Sequence, residues 1–232
     1  MTANRPHESY TIRAAKDSDL SYLPAIERSA GALFAQLSDP ILAELANDDP
    51  MSVAQHQNHL NDWRQYCVGD GGTLIAEDTS GQLVGFIVTN LVDAATPIQY
   101  HSHVGDCVGR CFIHIHELSV HAHHQRRGVA GSLIRAVMDC AERLSQRRSG
   151  DAKNGGEVDV VAVTLTTMRD VPFNAPFYAK HGFEEINVNQ IADLFGAAAS
   201  EIWKQDQDHF RGVGDGSLVA RRCWMAWHVS SA

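Results

Sequence analysis

The chain has 232 residues, 44% hydrophobic and 20% charged, which suits one globular domain with insertions and supplies apolar surface for a core. Its formal net charge is −9, from 28 acidic against 19 basic residues, so nucleic acid is not expected as a partner, whereas a cationic substrate is compatible. The start, MTANRPHESY, lacks the apolar run of a signal peptide, and no segment approaches the ~18 apolar residues of a membrane span.

Residues 1–9 are polar and are expected to form a disordered tail ahead of a single domain over 10–232. YTIRA (10–14) alternates as a first strand. Ser18 is placed to cap a helix carrying Leu20, Leu23, Ile26 and Ala30. A second helical stretch covers 32–45 and is broken at Asp39-Pro40; a third covers 53–68 and ends at the glycine-rich run 69–72. TLIAE (73–77) and LVGFIVTNL (83–91) read as strands joined by a hairpin turn over 78–82. Residues 93–109 are polar and aperiodic, an insertion loop, and 110–120 form the next strand. Val129, Leu133, Ile134, Val137, Met138, Ala141 and Leu144 then recur at helical spacing.

A second insertion loop covers about 145–157. VDVVAVTL (158–165) is nearly continuous in apolar residues, as expected of a strand covered on both faces. A short helix over 174–181, another helix over 191–203 and a strand within 218–229 complete a mixed α/β order without internal repeats. The five cysteines, Cys67, Cys107, Cys111, Cys140 and Cys223, are odd in number and irregularly spaced; they read as reduced thiols, which implies the cytoplasm.

Chemistry concentrates between Phe112 and Ile134, FIHIHELSVHAHHQRRGVAGSLI. Gln125, Arg126, Arg127, Gly128, Val129, Ala130, Gly131 and Ser132 lie where a strand ends and a helix begins. Helix N-termini offer free N–H groups and a positive dipole end, so an anion such as a phosphate binds well there. No GK[ST] follows and no G-x-G-x-x-G is present, so this is neither a Walker loop nor a dinucleotide fingerprint.

The run resembles the [Q/R]-x-x-G-x-[G/A] pattern of the Gcn5-related N-acetyltransferases, with Gln125, Gly128 and Ala130 at its fixed positions. FYAKHGF (177–183) is similar to the F-Y-x-K-x-G-F signature of the same family and follows the buried strand, as that topology requires. The resemblance covers roughly residues 10–228 and implies the GNAT fold: a mixed central sheet of about seven strands, splayed at the cofactor site and flanked by helices on both faces. It implies that the amides of 126–131 cradle the pyrophosphate of acetyl-CoA, and that Leu118, Ser119 and Val120 bond its pantetheine arm as an added strand would. Where the family often places a pantetheine-contacting asparagine, seven residues before the tyrosine, this chain has Val171; Asn174 sits four before it and is read as a helix N-cap, a cofactor contact or both.

Alternate strand residues share a face, so His114 and His116 are expected to point together and Glu117 the other way unless a bulge intervenes. Three chemistries compete for this strand. A metal site would combine His114 and His116 with His121, His123, His124, His101 or His103, but nothing in the sequence makes three or four ligands converge, and no metal is expected. Solvated or packed histidines are the second, and the third is proton transfer. An alkylamine has a pKa near 10 and must lose a proton before it attacks, a task suited to a histidine. Tyr178, a phenol, is the candidate acid for the departing thiolate.

The spacing H-x-H-x-L-x-V-H is also similar to that of the arylalkylamine N-acetyltransferases, whose strand histidines, by resemblance His114 and His116, relay a proton. In other relatives a strand carboxylate, here Glu117, orders the water that takes it. The histidines are favoured, because an imidazole needs less help than a carboxylate of pKa about 4.3 to accept a proton at neutral pH. Glu27 and Phe34 are candidates for holding the acceptor's ammonium and its apolar body. The expected activity is an acetyl-CoA-dependent N-acetyltransferase, monomer or homodimer, acting by direct attack on a small, possibly aryl, alkylamine. A protein or peptide N-acetyltransferase and a non-catalytic acyl-CoA sensor are the alternatives.

Overall fold

A computed structural model describes residues 10–66, 72–94, 109–146, 158–213 and 215–229. The expected tail at 1–9, nearly all of the two expected insertions, Cys67, Cys107, His101 and His103 lie outside the described residues; Ser145 and Gln146 end a helix instead of opening the second insertion.

Seven strands form one sheet: β1 (Thr11–Ala14), β2 (Thr73–Glu77), β3 (Leu83–Asp93), β4 (Gly109–Val120), β5 (Val158–Met168), β6 (Glu184–Ile186) and β7 (Arg222–His228). Their order is β1-β2-β3-β4-β5-β7-β6, antiparallel throughout except for the parallel pair β4 and β5. The helices are α1 (Leu23–Gly31), α2 (Pro40–Glu44), α3 (Val53–Tyr66), α4 (Val129–Gln146), α5 (Ala175–Ala179) and α6 (Ile191–Arg211).

The apolar stripe of α4 explains its place. Val129, Leu133, Ile134, Val137, Cys140 and Ala141 are all buried on one side of the helix and pack on Ile113, Ile115, Val163 and Leu165 of the central strands. The opposite sheet face is covered twice. Leu20, Leu23, Ile26 and Leu60 pack on Ile75, Phe86 and Val88, while Ile191, Phe195, Ala198 and Ala199 of α6 pack on Phe112, Ala162 and Trp224. With both faces covered, β5 needs apolar residues at consecutive positions, which accounts for its unbroken run.

Two local expectations are corrected. Ser18 does not cap a helix: the chain enters through a 3-10 turn, Asp17–Tyr22, with Lys16 at its N-cap. Asp19 decides this, accepting the Lys16 N–H at 2.7 Å and the Arg13 guanidinium at 2.6 Å. The stretch 32–45 is only a 3-10 turn, Phe34–Gln36, followed by α2, whose first N–H groups are taken by the Asp39 carboxylate. The edge strand β6 has no sequence signature, being three largely exposed residues paired to β7 alone.

Helix α6 bends at Gly196, where φ is 81° and ψ is −174°. A Cβ there would lie 1.9 Å from the Ala94 carbonyl oxygen, so the helix and the end of β3 meet backbone to backbone. Gly196→Ala is therefore expected to destabilise the fold by about 2 kcal/mol or more, combining left-handed strain with a steric clash. Urea unfolding monitored by tryptophan fluorescence checks this; a midpoint equal to that of wild type rules the contact out as a constraint.

Candidate active site

The turn from β4 into α4 carries the first part of the site. Val120 ends β4, a 3-10 turn spans Ala122–His124, and the Gln125 side chain donates back to the Val120 carbonyl at 3.0 Å, closing the loop. Arg126 and Gly128 both adopt positive φ, 59° and 91°. The first helical bond is Ser132 N–H to the Gly128 carbonyl at 3.0 Å, so the amides of Val129, Ala130 and Gly131 have no intrahelical acceptor. Arg126, Arg127, Gly128 and Ser132 are exposed, and a Cβ on Gly128 would meet nothing within 4 Å. The α4 dipole and these free amides fit a pyrophosphate. Val129 itself is buried in the core and offers only its backbone.

The second part is a gap in the sheet. Pairing of β4 with β5 ends at Ile115 with Leu165, whereas β5 continues to Met168 against β7. His116 to Val120 therefore have β3 on one side and no strand on the other, leaving the backbone of Leu118, Ser119 and Val120 along an opening that an extended ligand can line.

A bulge sits at the same point. Glu117 pairs with Val88 and Ile115 with Thr89, so His116 is the extra residue in β4. Its effect is to reverse the inside-outside alternation. His114 lies on the α6 face against Trp224, and Glu117 and Ser119 now share that side of the sheet, while Leu118 and Val120 join the α4 core. Glu117 thus does not oppose the histidines, as unbroken alternation requires; it is brought beside them.

These neighbours have unequal prospects. His114 is 5% exposed, bonded through Nδ1 to Thr164 Oγ1 at 3.0 Å and stacked 5.2 Å from Trp224. Burial, His116 and Arg222 push its pKa down to about 3, so it is a neutral packed residue. The His116 ring lies tilted against that of His59 of α3, with centroids 4.7 Å apart, and its pKa is also driven down by desolvation and by the neighbouring His59 and His56 rings. Glu117 is half-buried, its Oε1 accepting the Ser119 hydroxyl at 2.7 Å, and burial raises its pKa. The order of basicity that favoured histidine in solution is thereby reversed.

Tyr178, in α5, packs edge-on against Phe177 and Phe183. Burial first, and then Glu117, raise its phenol well above the ordinary value, so it stays protonated. Glu27, in α1, accepts the Met51 N–H, and burial reinforced by Glu117 raises its pKa to about 7. Glu117 thus lies within electrostatic reach of both Tyr178 and Glu27. Phe34 stands apart: it packs edge-to-face on Phe173 at 5.1 Å, in an apolar cluster with Met168 and Val171.

Asn174 occupies the N-cap position of α5, but its side chain makes no capping bond. Val171 is wholly buried in the Leu42–Met168 cluster. Arg169 and Asp170 do not pair with each other: Arg169 binds Glu185 and Asp170 binds Arg221. His56, His59 and Asn90 went unnoticed in the sequence. The spacing H-x-x-H in a helix was the available signal, since i and i+3 share a face. His121, His123 and His124 gather in the turn before the cradle. Among the described residues no group of three His, Cys, Asp or Glu is arranged to hold a metal ion, and no helix is long and apolar enough to cross a membrane. Cys111, Cys140 and Cys223 are buried in the core.

A family model described as the acetyltransferase (GNAT) domain matches residues 69–185, half of the chain. Among solved structures, the ribosomal-protein-S18-alanine N-acetyltransferase from Escherichia coli is similar at 14% identity, over 97% of this chain and 96% of that one, with a TM-score of 0.52. An acetyltransferase of the GNAT family from Staphylococcus aureus Mu50 is similar at 12% identity, over 96% and 100% of the two chains, with a TM-score of 0.52. N-acetylglutamate synthase from Neisseria gonorrhoeae, complexed with coenzyme A and N-acetyl-glutamate, is similar at 14% identity over 96% of this chain and 36% of that one, with a TM-score of 0.53. At such identities the structural likeness is one of fold. The chain belongs to the GNAT acetyltransferase family. It is an N-acetyltransferase, with acetyl-CoA as its co-substrate.

The raised Glu27 pKa carries a stability consequence. Protonation is favoured in the folded state, so this group's contribution is full below the unfolded carboxyl pKa and is lost as pH rises through about 7. Glu27→Gln does not titrate. Its stability relative to wild type is expected to increase by about 1–3 kcal/mol between pH 4.5 and pH 8. Urea melts across that range check this; a constant difference means that Glu27 is not perturbed.

Proposed function

We propose that this protein N-acetylates a small primary amine by direct attack within a ternary complex, with Glu117 as the base and Tyr178 as the acid. The observation that carries the proposal is the coincidence, at one point of β4, of the end of β5 pairing, the bulge that turns Glu117 into the opening, and the cradle five residues beyond Val120.

The free amides of Val129, Ala130 and Gly131, helped by Arg126 and Arg127, hold the diphosphate of acetyl-CoA. Leu118, Ser119 and Val120 align its pantetheine arm in the gap beside β4. Acetyl-CoA supplies an activated thioester. Glu117 takes a proton from the bound ammonium, directly or through one water, and frees the nitrogen lone pair. A buried carboxylate does this better than an exposed one, because its raised pKa narrows the gap to the ammonium. Tyr178 keeps its proton through neutral pH and gives it to the departing sulfur. The Leu118 or Ser119 N–H polarises the carbonyl. His116 and His59, whose rings meet at 4.7 Å, border the acceptor side.

Thiol release from acetyl-CoA, measured over a panel of alkylamines, arylalkylamines and peptides with free N-termini, tests the activity. The small amines are expected to be the better acceptors. Peptide acceptance alone moves the assignment to N-terminal acetylation, and binding without turnover marks a sensor. Glu117→Gln is expected to lower kcat by about 10²–10⁴-fold and Tyr178→Phe by about 10–1000-fold, with little change in acetyl-CoA affinity. Wild-type turnover in either variant, with chemistry rate-limiting, removes that residue from the mechanism. Gly128→Asp places a carboxylate in the cradle and is expected to abolish coenzyme A binding in calorimetric titration while the fold persists; unchanged affinity in the folded variant removes the cradle assignment.

A further inference from the structure

Two residues of the motifs have no task so far: Gly131, outside the fixed positions of the cradle pattern, and His181, between Lys180 and Gly182. The structure sets them against each other. A Cβ on Gly131 would lie 2.9 Å from His181 Cε1 and 3.4 Å from its Nε2. The Cα–Cβ bonds of a helix tilt toward its N-terminus. That edge of the imidazole therefore lies beside the first turn of α4, on the side where the amides of Val129, Ala130 and Gly131 are free.

The ring is held there by its own turn. The His181 N–H donates to the Tyr178 carbonyl at 2.8 Å, and Gly182, at φ 87°, swings the chain so that Phe183 enters the core. The half-buried imidazole packs edge-on against Phe177, with centroids 4.9 Å apart. From α4 the charged group acting on it is Arg135, one turn beyond Gly131 and on the same helix face. From α5 it meets the Phe177 ring, with Lys180 next to it in sequence, exposed. From β7 the Trp227 ring backs the following Gly182. Burial first, and then Arg135, hold the His181 pKa below the ordinary value, so the ring is neutral at pH 7. A neutral imidazole beside a cationic helix start gains a proton when a doubly charged anion arrives.

We propose that His181 is a cofactor-binding residue that flanks the diphosphate of acetyl-CoA across Gly131 and, as an imidazolium, donates from Nε2 to a phosphate oxygen. The proposal rests on the cradle assignment. The proton comes from solvent as the cofactor binds and returns to it when coenzyme A leaves. Gly131 is required because a side chain there would take the place of the ring. The protonated ring binds the anion, so its contribution is present at acid pH and is lost as pH rises through the pKa of the bound state.

Calorimetric titration with dephospho-coenzyme A across pH 5.5–8.5 tests this without any acceptor amine. That probe keeps the diphosphate and lacks the ribose phosphate, which itself titrates at about pH 6. His121, His123 and His124, in the turn before the cradle, are common to wild type and variant, so the difference between the two isolates His181. His181→Gln is expected to bind about 3–10-fold more weakly than wild type at pH 5.5 and within about twofold of it at pH 8.5. Repeated in buffers of different ionisation enthalpy near pH 6.5, wild type is expected to take up more proton on binding than the variant. Should the variant fail to fold, NMR of wild type gives the same answer. The His181 Cε1–H resonance, assigned through its contact with the Gly131 Hα protons, is expected to titrate about one pH unit higher or more with the probe bound. An affinity ratio that is constant with pH, or a resonance whose midpoint does not move, makes His181 a packing residue only and overturns the proposal. If Gly128→Asp abolishes binding while that ratio is constant, the cradle stands and His181 alone is removed from it. If Gly128→Asp binds like wild type, the cradle assignment fails and this proposal fails with it.

Discussion

The site depends on where β4 stops pairing with β5. Up to Ile115 and Leu165 the two strands are locked in a parallel ladder; one residue later β4 bulges at His116 and stands alone on that side. Parallel pairing cannot be resumed beyond such a point without another strand, so a row of backbone donors and acceptors lies available to a ligand. The same extra residue flips the register of everything after it. Leu118 and Val120 turn into the α4 core, and Glu117 and Ser119 turn to the cleft. One inserted residue therefore creates the opening, selects its carboxylate and aims the strand at the helix start that follows.

Around that point the fold is built for rigidity on one side and for variation on the other. The α4 side is apolar and closely packed, from Val129 to Ala141, and holds the helix start in place. The other side is assembled from short pieces: α1, a 3-10 turn, α2 and α3, joined by Asp39 capping and the Arg13–Asp19–Glu77 network. Glu27, His56 and His59 come from these pieces.

Burial decides the acid–base roles proposed here. In water an imidazole is a better base than a carboxylate by about two pKa units. Inside the cleft desolvation acts on both with opposite sign, since it disfavours the cation of one and the anion of the other. His114 falls to about 3 while Glu27 rises to about 7, and Glu117 rises with it. The two residue types exchange rank without any change in chemistry. Histidines on this strand then serve as neutral, packed or stacked walls, His114 on Trp224 and His116 on His59.

Much of this was legible in the chain. The periodicity of α4, the unbroken apolar run of β5, the Asp39-Pro40 break and the two motifs around Gly128 and Tyr178 depend on neighbours a few residues apart, so local pattern was enough to place one motif at a strand-to-helix turn and the other on a short helix of an α/β fold. What the chain alone did not disclose involves partners far apart in sequence. The bulge at His116 exists only as a mismatch with Val88 and Thr89 of β3. The contact of Glu27 with His56, and the raising of its pKa by burial and Glu117, join α1, α3 and β4. The three-residue strand β6 acquires its identity from β7. A pKa inversion requires knowing which groups lose their water, and that is a property of the packed sheet and its covering helices; residue type set the chemistry on offer at each position, and tertiary contact chose which of it is used.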